Sequence, residues 1–151
     1  MDPKYINLVV AGTNLLGLVP FAKAYKKRNP TWKNNIRWVE APLIGGTIIA
    51  STLMHLSETK HGLPGICLQS YSNHLLWLDR LFALTTCSYV VYRLYKGWNK
   101  NKFKHSEVIA KIIGSLLCNF FSEKVVKKTI YFAILHSCWH GLAYSVLLDV
   151  I

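Results

Sequence analysis

The sequence predicts an all-α integral membrane bundle of about five transmembrane helices, formed as a single transmembrane domain over residues 1–151. Three observations predict it. Just over half of the residues are hydrophobic (52%), and they gather in long runs. The chain is strongly basic, with 18 Lys and Arg against 7 Asp and Glu. The basic residues fall in short clusters between the apolar runs, at 23–37, 93–104 and 124–128. A nucleic-acid-binding domain would more often gather such charge on one folded face, so nucleic acid is not an expected partner. Short basic loops between apolar helices are the pattern of a multi-pass membrane protein. Helices that are apolar all round need either a protein core or lipid around them, which leaves a soluble helical bundle as the competing architecture.

The expected spans lie at about 5–25, 36–57, 74–95, 106–122 and 129–149. The first carries Asn7, Gly12, Asn14 and Gly17 among aliphatic residues, a composition suited to close packing against other helices in lipid. Ala22-Lys23-Ala24 has the A-x-A form of a signal-peptide cleavage site. The length of the run, its asparagines and the single Lys4 ahead of it favour a retained span. The basic loop that follows reads as cytoplasmic, with Trp32 and Trp38 as interface anchors. The second span opens on Glu40 and Pro42, allows close packing at Gly45-Gly46, and reaches Ser51 and His55 near its far end. Residues 58–73 are polar and carry Gly and Pro. They read as a loop on the opposite side, with His61 in it, His74 at its edge, and both read as solvated.

The third span holds Asp79 within its first two turns, beside Trp77, Leu78, Leu81 and Phe82. Hydration at the interface is the bland explanation of that aspartate. The fourth run is short, and Lys111 inside it must snorkel to reach water. A re-entrant or interfacial helix is the alternative for this segment. The fifth run, Thr129 to Leu148, is long enough to span and carries His136 and His140. Cys67, Cys87, Cys118 and Cys138 form no CxxC pair, so no disulfide framework is expected.

Five of the polar residues within the apolar runs, Ser51, His55, Asp79, His136 and His140, are the candidates for chemistry. His136 and His140, at a spacing of four, share one helix face, as do Ser51 and His55. Placing the loops at 23–37 and 93–104 in the cytosol puts the N-terminus on the lumenal or extracellular side. Ser51, His55, Asp79, His136 and His140 then fall in one leaflet, although the basic 124–128 turn dissents from that orientation. Three imidazoles can fill three positions of a tetrahedral zinc and leave the fourth for water, the open arrangement of catalytic sites. Zinc lowers the pKa of such a water to about 7. A neighbouring carboxylate can orient or deprotonate it, and a hydroxyl can donate to a developing oxyanion. Asp79 and Ser51 are the candidates for these two roles. Packing or interhelical hydrogen bonding without metal is the plainer reading of the same residues.

Ser51-xxx-His55 late in the second span, an aspartate in the third and His136-xxx-His140 in the last resemble the CREST superfamily of membrane proteins. That group includes alkaline ceramidases, progestin and adipoQ receptors and the lipid-remodelling factors of GPI anchoring. The resemblance implies a helical membrane bundle with Zn2+ held by His55, His136 and His140. It also implies Asp79 as the partner of the reacting water, Ser51 as the oxyanion helper, and hydrolysis of a lipid amide or ester. The family has seven spans, so this chain would be a short, divergent member. It lacks an acidic N-terminal cluster, and no calcium is expected. The function expected is a zinc-dependent intramembrane lipid hydrolase in the endomembrane system or plasma membrane. Its expected partners are ceramide-like lipids or phospholipids, with a second copy of the chain also allowed. A non-enzymatic receptor or lipid-binding relative, and a small channel or transporter with a His- and Asp-lined path, are the alternatives.

Overall fold

The computed structural model describes residues 3–26, 39–98, 105–125 and 128–151. These residues form five helices and, among them, no strand. Helix α1 covers Pro3–Lys26 and tightens to a 3-10 turn over Asn14–Gly17. Pro20 explains the tightening, because its ring would clash with the carbonyl four residues earlier in a regular α-helix. Helix α2 covers Glu40–Ser57, α3 Ser72–Trp98, α4 His105–Phe120 and α5 Thr129–Val150. A π-turn over Phe121–Val125 follows α4. Two helices, Pro3–Lys26 and Thr129–Val150, are long and apolar enough to cross a membrane. The expected interface anchors Trp32 and Trp38 and the loop at 99–104 lie outside the described residues.

The helices stand in the order α3, α2, α1, α5, α4, each packed on its neighbours in that row. Helices α3 and α4 are the two ends of the row. They come together at one end of the bundle, where Val90 and Leu94 of α3 and Ile112 of α4 pack against Val108, Val146 and Val150. A cleft lies between them beside this cluster, backed by α5, and Val90, Leu94 and Ile112 also form part of its wall.

Two features hold the row together. The first is close approach at glycine. A Cβ on Gly46 would lie 2.2 Å from Cε1 of Phe82 on α3, while a Cβ on Gly12 would meet nothing within 4 Å. Gly46→Ala is therefore expected to destabilise the bundle by about 1–3 kcal/mol through overpacking. Gly12→Ala should leave stability level or slightly raised, because alanine favours helix. Thermal unfolding of both variants in detergent checks the pair.

The second feature is a set of ion pairs at the end where α3 and α4 converge. Glu40, 1% exposed at the start of α2, accepts hydrogen bonds from Tyr89 and Arg93 of α3. Lys111 of α4 binds Asp149 of α5 at 2.7 Å and Glu107 at 2.8 Å. The ammonium of Lys111, expected to snorkel, is paired with one carboxylate of its own helix and one of a neighbouring helix. Removing one member of a buried pair leaves an uncompensated charge, so Arg93→Ala is expected to cost about 3–5 kcal/mol. Adding Glu40→Leu to Arg93→Ala should recover much of that loss, as read from paired denaturation curves.

At the opposite end, the loop after α2 folds back over α1 and α5. Leu63 is buried with Ile6, Val10, Phe132 and Ala133. His61 stacks on Phe132 with ring centroids 4.3 Å apart, and its carbonyl accepts a hydrogen bond from Thr129. The expectation of a solvated His61 is therefore corrected: an aromatic neighbour holds the ring against the bundle. His74 is exposed. The four cysteines are free thiols.

Candidate metal centre

Local sequence explains how each polar side chain arrives at the centre. Ser51 and His55 lie one turn apart on the inner face of α2, and His136 and His140 do the same on α5. Asp79 occupies the inward face of α3. All five side chains are buried, none more than 6% exposed. The structure brings them together. The candidate ligand atoms of His55, His136 and His140 all lie within 4.8 Å of one another. The Ser51 hydroxyl lies beside the Asp79 carboxylate, and both line the same cavity as His140.

The hydrogen bonds around the three rings determine which nitrogens face inward. His55 Nδ1 lies 2.9 Å from a carboxylate oxygen of Glu58, which can only accept, so this nitrogen carries the proton. His140 Nδ1 lies 2.7 Å from Thr13 Oγ1. The single hydroxyl proton of Thr13 goes to the Val10 carbonyl at 2.6 Å, so the oxygen accepts from His140. His136 Nδ1 lies 3.4 Å from Ser122 Oγ, whose own proton goes to the Asn119 carbonyl, and 3.5 Å from Glu123. All three rings therefore hold a proton on Nδ1, directed outward to an acceptor. All three present an Nε2 lone pair to the centre.

That arrangement suits a cation. Nε2 of His55 and Nε2 of His136 stand 3.1 Å apart, and two lone pairs facing each other at that distance repel. His140 Nε2 is buried with no hydrogen-bond partner. Two ligands of a tetrahedral zinc, each about 2.0–2.1 Å from the ion, lie about 3.3 Å apart, close to the observed separation. Neutral imidazoles with the other nitrogen hydrogen-bonded outward are the usual form of metal-binding histidine. The three residues fit the group and could hold a metal ion. The donor set is common to several divalent ions, and zinc is one of them.

Beside the centre lies a cavity of about 300 Å³. It occupies the cleft between α3 and α4. Ser51, Asp79 and His140 line one part of it, and the walls are otherwise largely apolar, including Val90, Leu94, Ile112, Leu116, Trp139 and Ala143.

Several participants were not among the residues expected from the sequence. In the sequence Glu58 reads as the start of a polar loop, yet it is 6% exposed and belongs to the His55 turn. Its position three residues after His55 was the available signal. Thr13 and Ser122 carried none. Thr13 is 127 residues from the histidine it holds, and Ser122 reaches His136 through the π-turn, a distortion often found at functional sites.

The chain matches no protein-family model, no curated protein and no solved structure.

Proposed function

We propose that this protein is a zinc-dependent lipid hydrolase working within a membrane, and that it cleaves an amide or ester bond of a ceramide-like lipid or a phospholipid. One observation carries the reading: three buried Nε2 lone pairs converge beside a carboxylate and a hydroxyl at the wall of an apolar cavity. His55, His136 and His140 would hold the zinc. The bound ion would supply Lewis acidity and make water nucleophilic near neutral pH. Asp79 takes the proton of the attacking water and returns it to the leaving amine or alkoxide. Ser51 donates its hydroxyl proton to the carbonyl oxygen as negative charge develops there. The cavity excludes bulk water and accepts the hydrocarbon chain next to the scissile bond.

Placement in a five-span bundle is part of the proposal. Beyond the two helices already long and apolar enough, α3 and α4 turn large apolar side chains outward. Trp77, Leu81 and Leu84 on α3 and Ile113, Leu117 and Phe120 on α4 are all exposed. Contiguous apolar faces of this kind suit lipid rather than water. Asp79 is turned inward, Lys111, midway along α4, is paired with Asp149 at the end of α5, and Arg80 lies over the Trp77 ring at 5.5 Å. Charges placed like this are compatible with a hydrocarbon surround.

The test is hydrolysis by the detergent-purified, zinc-supplied protein, with fatty acid release measured from ceramide and from phospholipid in mixed micelles. Turnover of either supports the reading. Zinc bound at about one ion per chain without turnover of any lipid would favour the non-enzymatic relative, in which the ion holds the bundle together as in closed structural sites.

A further inference from the structure

The three histidines are not held alike. His140 and His136 hand their Nδ1 protons to neutral hydroxyls, Thr13 and Ser122, with Glu123 at 3.5 Å from His136 and 39% exposed. His55 alone hands its proton to a buried carboxylate, at 2.9 Å. Among the described residues, Glu58 has no Lys or Arg within ion-pair distance. A buried carboxylate without a cationic partner is costly unless a positive charge lies nearby. The turn that carries it is clamped from another helix. Asn7 of α1, fully buried, donates to the His55 carbonyl at 2.8 Å and to the Glu58 carbonyl at 3.1 Å. The amides of Ile66 and Cys67 bond the Leu56 carbonyl between them.

We propose that Glu58 is the principal positioning residue of the metal centre. It fixes His55 in the Nδ1–H form. Its charge also offsets part of the charge of the bound ion. Thr13 and Ser122 orient their histidines without adding charge. Asn7 sets where Glu58 stands. This inference rests on the metal-binding reading of the three histidines, and its test separates the two.

The first readout needs no metal. The ¹⁵N shifts of the His55 ring in the metal-free, full-length protein should report a single tautomer, protonated at Nδ1. Glu58→Ala should convert it to a mixture. The second readout is metal affinity, from competition between the protein and a chelator. Loss of an outer partner to a metal-bound histidine costs about 10–100-fold, so Glu58→Ala should lie at the upper end of that range. Thr13→Val and Ser122→Ala should lie at the lower end. Glu58→Gln keeps an acceptor oxygen but not the charge. It should preserve the tautomer and lose an intermediate amount of affinity, which a merely structural role would not produce. Cobalt(II) absorption in each variant verifies that three-histidine coordination is retained.

An unchanged His55 tautomer in Glu58→Ala overturns the proposal, whatever happens to metal binding. So does an affinity loss no larger than that of Thr13→Val. A wild-type protein that binds no metal would overturn the hydrolase reading, and the tautomer measurement would still decide what Glu58 does to His55.

Discussion

Replacing His136 and His140 together with alanine is expected to abolish metal binding. Wild-type protein purified in detergent should carry about one zinc per chain, and the double variant should carry none above background. The two substitutions remove two of three converging lone pairs and leave His55 Nε2 facing no other ligand. One imidazole does not hold zinc against competing water and buffer. Thermal stability gives an independent readout. A ligand that binds only the folded state stabilises it by about 2.7 kcal/mol at a hundredfold excess over its dissociation constant. Added zinc should therefore raise the unfolding temperature of the wild type and leave that of the double variant unmoved. An equal zinc response in both proteins would remove these residues from the metal centre.

The second large effect is expected at Asp79. Asp79→Asn is nearly isosteric and preserves the contact with Ser51, so the bundle and its zinc content should be unchanged. The amide cannot take a proton from water. General base catalysis contributes about 10²–10⁴-fold to rate, so lipid hydrolysis should fall by a factor in that range, seen in kcat more than in KM. Full activity in Asp79→Asn would move the proton-accepting role elsewhere. Loss of zinc from the variant would instead mean that Asp79 supports the coordination of His55.

The centre was legible in the sequence to the extent that its chemistry is written in local spacing. His136 with His140, and Ser51 with His55, are pairs one helical turn apart inside apolar runs, and such pairs project together wherever the helix lies. Asp79 stood out because an aspartate among Trp77, Leu78, Leu81 and Phe82 has no local partner. The supporting groups were not legible for the opposite reason. Thr13 and Ser122 are ordinary hydroxyls until another helix brings a histidine to them. Glu58 follows the last turn of α2, where an acidic residue normally signals exposure. In the fold, the order of the helices could not be read from hydropathy at all. It depends on tertiary features such as the bare backbone of Gly46 beneath Phe82 and the buried pairing of Glu40 with Arg93.

The inward polar face of α1 has a consequence for how the protein is made. Asn7, Thr13 and Asn14 are oriented toward partners supplied by other helices: the His55–Glu58 turn for Asn7, His140 for Thr13 and Tyr144 for Asn14. Two of these partners belong to α5, which leaves the ribosome only after every other helix described here. Until then Asn14 lacks its counterpart in an apolar helix, and Thr13 bonds only the Val10 carbonyl of its own helix, a state costly in hydrocarbon for the amide. An emerging chain would gain from keeping α1 at the translocon or beside a chaperone until α5 arrives. Synthesis that stops short would leave α1 marked by its unmet polar face. On the proposed reading, metal loading would in turn report that α2, which carries His55, and α5, which carries His136 and His140, had met.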